Sequence, residues 1–367
     1  MKKSNTFLVL FWIASLHLMA ERVPQETALK VAATFLNNNG AKSAKLTDLS
    51  KTAGFANLYI FNAEPGFVVM AADDCVQPIL GYSLTGKFVA ENMPTNVSGW
   101  LQGYSDEIQF AIESKAKPSA ETAKLWKDLI DGDSKAAKAT TVVDNLLSTT
   151  WDQIHPYNAL CPRDPSTNQL TVTGCMATAM AQIMKYWDYP VRGKSENFYS
   201  TPKYGTLYVN FGESEYDWAN MPSFLTNAST QEQIEAVATL MYHCGVAVNM
   251  QYDIASNGGS LANSTALDYA YRSYFNYSSS VSLKNKSSYT TASWLNLLKT
   301  ELDGKRPIHY NGHGDQGGHS FVCCGYDDGN NFYFNWGWSG LNDGFFALSS
   351  LSPDSGGVGG GGCDFTN

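Results

Sequence analysis

Charge is scarce in this chain and has the wrong sign for one large class of partners. Only 16% of its 367 residues are charged, and acidic residues outnumber basic ones by 34 to 25, a net charge of −9. A nucleic-acid partner needs a basic face, so none is expected. Past residue 20 no apolar run reaches the ~20 residues a membrane helix needs, so no membrane span is expected. Seven cysteines, at 75, 161, 175, 244, 323, 324 and 363, form no CxxC pair and no zinc-ribbon spacing. No segment repeats. What is plentiful is apolar area: 44% hydrophobic residues, with 20 Tyr, 18 Phe and 9 Trp. Such a composition folds around a core and excludes a disordered chain. A length of 367 residues is long for one core, so two units are expected.

The first twenty residues differ from the rest. Lys2 and Lys3 give a positive start, Phe7 to Met19 is uncharged and mostly apolar, and Ala20 precedes the charged Glu21 and Arg22. This is the layout of a secretory signal peptide over residues 1–20. A buried N-terminal helix is the competing reading. The mature protein is therefore expected to be exported, extracellular or periplasmic. In such a compartment an odd cysteine count leaves at least one thiol unpaired.

Glu26 to Leu36 has an apolar stripe at helical spacing: Ala28, Val31, Ala32, Phe35 and Leu36. Leu58–Phe61, Gly66–Ala71 and Pro78–Tyr82 read as a small sheet, and Trp100–Ala116 and Ala120–Leu129 as helices. Together they form an α+β unit. Asp131 to Thr141 (DGDSKAAKATT) is then small and polar, a linker open to proteolysis. The larger unit begins near Val142. Cys175 to Trp187 reads as a helix with Met176, Ala179, Met180, Ile183, Met184 and Trp187 on one stripe. Gln231–Cys244 and Ala262–Tyr274 read as further helices. From Pro307 the pattern turns to strands: PIHYNGH, HSFVCCGYDD, NFYFNWGW and DGFFALSSL. Helices first and an antiparallel sheet after them make a segregated α+β layout. Ser355 to Gly362 (SGGVGGGG) reads as a loop.

Three elements could carry chemistry. Thr173-Gly174-Cys175 opens a helix, where the dipole favours a thiolate and lowers its pKa. Gly317-Gly318-His319 opens a strand, with glycines that leave room for a substrate backbone. Asn335-Trp336-Gly337-Trp338 follows on the next strand, where an amide or an indole could fix a histidine tautomer. Each alone is ordinary; a cysteine at a helix start is usually a small buried hydrophobe. Together they form an ordered set. His319 follows Cys175 by 144 residues, within the roughly 130–150 typical of papain-like enzymes. Gln153, in WDQ, stands 22 residues before Cys175. Its amide could join the Cys175 N–H in holding an oxyanion.

The motifs TGCMATAMAQIMKYWDYP (173–190), WDQIHPYN (151–158), GGHSFVCCGYDDGNNFYFNWGWSGLNDGFFAL (317–348) and LYIFNAEPGFVVMAADDCVQPILGYSLTGKF (58–88) resemble those of the streptopain/interpain family of bacterial cysteine proteases. The resemblance runs from about residue 21 almost to the C-terminus. It implies an α+β, papain-like catalytic domain of two subdomains over 139–367, behind an inhibitory pro-domain over 21–138 that is cut off during maturation, often by the enzyme itself; in this chain the cut is expected in the linker, near Lys138-Ala139. It implies Cys175 as nucleophile, His319 as general base and Gln153 as oxyanion donor. Trp336 would pack on and orient the imidazole, with Asn335 the rival for that task. Ser260, in NGGS, and Gly318 match positions that hold substrate backbone. The partners implied are peptide substrates and the chain's own pro-domain; a monomer is expected, with no cofactor and no metal. One departure stands out: relatives continue past the glycine-rich loop into a last strand, whereas here Cys363-Asp364-Phe365 nearly ends the chain.

Two other functions compete. His309, His313, His319 and Cys323 could suggest a metal hydrolase, but i, i+4 spacing converges on a metal only on a helix, and this segment reads as strands. An exported binding or inhibitor protein on the same fold would need the nucleophile or the histidine to be missing, and both are present. Cys323 and Cys324 could suggest a redox pair; neighbours on a strand point to opposite faces, which favours core packing.

Overall fold

The computed structural model describes residues 21–41, 45–314 and 317–348. The expected signal peptide, the glycine-rich run and Cys363 lie outside them.

The N-terminal unit begins with α1 (Gln25–Asn38), whose buried residues are Ala28, Val31, Ala32, Phe35 and Leu36, the stripe the spacing predicts. Next come β1 (Thr47–Asp48), α2 (Ser50–Ala53), β2 (Leu58–Asn62), β3 (Phe67–Ala71) and β4 (Ile79–Ser83), then α3 (Thr95–Glu113) and α4 (Ala120–Asp131). The second unit holds β5 (Thr141–Val143), α5 (Cys175–Trp187), the hairpin β6 (Glu196–Thr201) and β7 (Gly205–Asn210), and α6 (Gln231–Ala247). It continues with α7 (Leu267–Tyr274), α8 (Thr291–Asp303), β8 (Ile308–Gly314), β9 (Gly317–Asp327), β10 (Asn331–Asn335) and β11 (Gly344–Ala347).

The strands of both units join one nine-stranded sheet in the order β1-β2-β3-β4-β11-β10-β9-β5, with β8 also on β9. The seam is β4 against β11, antiparallel, with Phe345 opposite Tyr82 and Phe346 opposite Gly81. Gly81 is required there: a Cβ would sit 2.5 Å from Phe346 Cδ1. The Tyr82 and Phe345 rings stack at 5.1 Å, and Tyr82 Oη donates to Asp327 Oδ2 at 2.8 Å. The edge of β11 facing away from β10 is thus paired by the N-terminal unit.

Helix α5 is the wedge between the two halves of the second unit. Met176, Met180 and Met184 face a helical core with α6, α7 and Trp151. Ala179 and Ile183 face Val322 and Cys324 of β9. Cys323 joins the core on the other side of the sheet, so the two adjacent cysteines do point apart. All six described cysteines are unpaired.

The polar segment 131–141 is tied down rather than loose. Asn39 Nδ2 donates to Ala137 O at 2.7 Å, and Asn39 Oδ1 accepts from Ala139 N at 2.9 Å. Ala137 is fully buried. Thr140 N donates to Asp328 Oδ1 at 2.9 Å, and β5 then pairs with β9.

Candidate active site

The site forms where α5 starts. Gly174 stands before its first residue at φ +86°, a conformation glycine tolerates. A Cβ there would meet Met250 Cε at 2.7 Å and Ser260 O at 3.2 Å, so the helix can begin against the wall that carries Ser260 only with glycine. Thr173 N donates to Gln153 O at 3.0 Å, which seats Gln153 beside the same turn. Ser320 N donates to Cys175 Sγ at 3.4 Å. Three distant segments, around residues 153, 260 and 320, thus converge on Cys175.

Gln153 is 3% exposed and its Nε2 has no hydrogen-bond partner among the described residues. Its backbone N–H donates to Asp152 Oδ1 at 2.6 Å, and Asp152 Oδ2 accepts from the Ser339 hydroxyl. The backbone of Gln153 is therefore fixed, and its side-chain amide is buried with a donor unspent. Burying such a group costs about 1–3 kcal/mol.

The Cys175 thiol departs from the sequence expectation. Burial pushes its pKa up, against the opposing pull of the Ser320 and Met176 N–H groups. A helix dipole is typically worth only about 0.3–1 kcal/mol to a charge at its end, and removing a thiolate from water outweighs that.

His319 is half-buried and lies opposite Gly312 in the β8–β9 pair; Gly318 lies opposite His313. Strand alternation puts His319 on the face of Phe321. Trp336 is on that face too, its ring 4.6 Å from Phe321. The indole N–H donates to Asn342 O at 3.0 Å, and its backbone N–H to Asp343 Oδ1 at 2.9 Å. Burial raises the Asp343 pKa to about 7. Asn335 pairs with Val322 and belongs to the opposite face. Its Oδ1 accepts from Gln182 Nε2 at 2.9 Å and Gly337 N at 3.1 Å, and its Nδ2 donates to Thr149 O at 2.8 Å. Asn335 is therefore spent on fastening β10 to α5.

Ser260 is buried with its hydroxyl turned into the wall. It donates to Val172 O at 2.6 Å and accepts from Asp253 N at 3.0 Å. Only its backbone remains to face the turn at Gly174. The metal-ligand alternative fares poorly on geometry. His309 pairs with Val322 and Ile308 with Cys323, so His309 lies on one face of the sheet and Cys323 and His319 on the other. No group of three His, Cys, Asp or Glu that could hold a metal occurs among the described residues.

The N-terminal unit reaches this site directly. Asn96 Nδ2 donates to Trp336 O at 2.9 Å. Trp100 packs edge-on to Phe334 at 5.0 Å and Phe321 at 5.9 Å, and lies 6.0 Å from Trp336. The Asn342 side chain accepts from Val89 N at 2.6 Å and donates to Val89 O at 3.2 Å.

The peptidase C10 family profile matches residues 151–346, the span that holds every residue of this site. The chain belongs to the peptidase C10 family. A Spi protease inhibitor profile matches residues 20–108, the unit that supplies Val89, Asn96 and Trp100. This chain is 31% identical to streptopain of Streptococcus pyogenes, over 92% of this chain and 87% of that one. It is 35% identical to the thiol protease/hemagglutinin PrtT of Porphyromonas gingivalis over 83% of its length, but spans only 35% of that relative. The solved fragment of Prevotella intermedia prointerpain A superposes with a TM-score of 0.71 at 30% identity, covering 88% of this chain and 96% of the fragment. Active interpain A gives 0.53 at 38% identity, covering 57% and 88%. The peptidase C10 chain described here is thus a papain-like cysteine endopeptidase in zymogen form, an α+β catalytic domain behind an inhibitory pro-domain.

Sequence reasoning missed Ser320, Gln182, Asn342 and Asp343. Gln182 stands inside an otherwise apolar stretch of α5, and that polar intrusion was a usable signal. Ser320 acts through its backbone, which no side-chain pattern reports.

Proposed function

We propose that Cys175 is the nucleophile of this peptidase and His319 its general base. The thiolate attacks the peptide carbonyl while the imidazolium stands beside it. Gln153 Nε2 and the Cys175 N–H receive the oxyanion, His319 protonates the leaving amine, and water then hydrolyses the thioester. Trp336 supports the orientation of His319, since Asn335 is engaged on the other face of the sheet. The backbone at Ser260 and Gly318 holds the substrate chain. One observation carries the reading most: the Gln153 amide is buried with an unspent donor, at the turn that presents Cys175. A buried donor without a partner calls for an acceptor that arrives later.

The pro-domain acts as an intramolecular inhibitor over 21–138, removed by a cut near Lys138-Ala139. The mature enzyme takes peptide substrates, with a bulky apolar residue favoured two places before the scissile bond, and works as a monomer. Export to an extracellular or periplasmic space follows from the pattern of residues 1–20. No helix among the described residues is long and apolar enough to cross a membrane.

The test is peptide mapping after alkylation of the processed enzyme in reducing buffer. Label at Cys175 is expected to rise in proportion to lost activity. Full inactivation with Cys175 unmodified would overturn the assignment.

A further inference from the structure

The turn between β10 and β11 holds four residues at positive φ: Gly337 at +75°, Ser339 at +53°, Gly340 at +76° and Asn342 at +62°. Glycine takes this conformation freely and asparagine at times, but serine rarely does. Ser339 is also exposed, so side-chain packing does not offset the strain. Its hydrogen bonds are what it gains. The Ser339 hydroxyl donates to Asp152 Oδ2, and Ser339 N donates to Trp151 O at 3.3 Å. Gly340 brings the turn close against the same segment, since a Cβ there would stand 3.2 Å from Thr150 Cγ2. A non-glycine residue held in such a conformation beside a reactive centre points to a role in that centre.

Asp152 carries the link onward. It is buried, and its two oxygens serve two donors: Oδ1 accepts from Gln153 N at 2.6 Å, and Oδ2 from the Ser339 hydroxyl. The first bond joins chain neighbours and by itself holds nothing distant. The second crosses 187 residues of chain and ties the segment before α5 to the turn after β10. Gln153 is thus held from both sides. Its carbonyl accepts from Thr173 N at 3.0 Å, and its N–H is held by Asp152. Only the second hold depends on Ser339.

We propose that Ser339 and Asp152 are positioning residues of the oxyanion hole, acting in series on Gln153. The Ser339 hydroxyl fixes the Asp152 carboxylate, the carboxylate fixes the Gln153 N–H, and the Gln153 backbone sets where its unspent amide can reach. Neither residue touches substrate. The proposal rests on the reading of Gln153 as oxyanion donor. Preorganised donors act only at the place where charge develops, and a misplacement of about 1 Å can cost about 10²-fold in rate. The strain at Ser339 is thereby accounted for, because glycine at 339 would take the same backbone but leave Asp152 Oδ2 without its donor.

The test measures kcat and KM on a fluorogenic peptide. Variants are purified as full-length precursors and processed by affinity-tagged wild-type enzyme, which is then removed. Ser339→Gly keeps the backbone and removes the hydroxyl; its kcat is expected to fall about tenfold with KM little changed, and its thermal stability to stay level or rise. Asp152→Ala should lose rate likewise. Asp152→Asn should restore most of it, because an amide can accept from Gln153 N and donate to Ser339 Oγ. In a Gln153→Ala background, Ser339→Gly should change kcat by less than about twofold, since residues that act through one another are not additive. Thermal unfolding confirms that each variant is folded, and the exposed Ser339 carries the test if Asp152→Ala does not fold. A near-wild-type kcat in folded Ser339→Gly, or the same loss with and without Gln153, would overturn the proposal and leave the role of Gln153 standing. Full kcat in Gln153→Ala alone would instead remove the oxyanion donor, and its positioning residues with it.

Discussion

The Asn96 side-chain amide donates to the Trp336 carbonyl at 2.9 Å, a bond that crosses 240 residues of chain. It fastens the pro-domain helix α3 to the turn that carries the indole beside the face of His319. Around it, Trp100 closes over Phe321, Phe334 and Trp336, and Val89 is held by Asn342. These contacts join the N-terminal unit to the aromatic residues around Trp336, in continuity with the β4–β11 seam.

Removing that anchor should loosen the zymogen. Truncating a buried tryptophan typically costs about 3–5 kcal/mol. Trp100→Ala is expected to raise the peptidase activity of freshly purified precursor and speed its processing. Asn96→Ala should do the same more mildly. Fluorogenic peptide hydrolysis at early times measures this; activity no higher than wild type in both would contradict the anchor's role.

Gln153 should matter to rate more than to binding. Loss of one oxyanion donor lowers kcat about 10²–10³-fold. Processed Gln153→Ala is expected to show that fall with KM little changed, and to alkylate at Cys175 as fast as wild type. A normal kcat would remove Gln153 from the mechanism.

How far all this was legible in the sequence differs by element. The stripe of α1, the start of α5 and the four C-terminal strands follow from periodicity and glycine placement, because each buries a face against one neighbour. Helix α8 carries a usable signal in the sequence: Thr290 caps it, and Trp294, Leu298 and Leu302 recur every fourth residue. The hairpin β6–β7 is polar and exposed on much of both strands, so alternation is weak there. The fusion of two sheets at Tyr82 and Phe345 has no local signal at all, since each strand reads the same whoever pairs with it. Cys175 is legible as a residue but the net shift of its thiol is not, because burial depends on what folds over it.

The segment before the expected cut should resist processing until it opens. Asn39 clamps Ala137 and Ala139 on either side of Lys138. Asn39→Ala removes both bonds, each net worth about 0.5–1.5 kcal/mol, and should speed conversion of precursor to mature enzyme. Conversion no faster than wild type would mean that opening of this segment does not limit processing.

Asp343 gives a pH dependence of known sign. Its folded pKa, about 7, is raised above the unfolded value near 3.9. The folded state therefore binds more protons than the unfolded state between about pH 4 and 7, and this group's contribution to stability falls as pH rises through that window. Asp343→Asn keeps an acceptor for Trp336 N–H without the charge. Its stability relative to wild type should rise from pH 4 to pH 7.5, by at most about 1.4 kcal/mol per pH unit. Taking the difference cancels other titrating groups, including the buried His243, whose pKa is lowered to about 4. Denaturant unfolding at both ends of the range measures it, and a constant difference would contradict the buried-carboxylate account.

The most direct test compares the wild-type precursor with Cys175→Ala, both purified without residues 1–20 and incubated in reducing buffer. Intact-mass measurement should show the wild type losing its N-terminal unit near Lys138, while Cys175→Ala stays full length until a trace of processed wild type is added. Unaided shortening of Cys175→Ala at the wild-type rate would contradict the account.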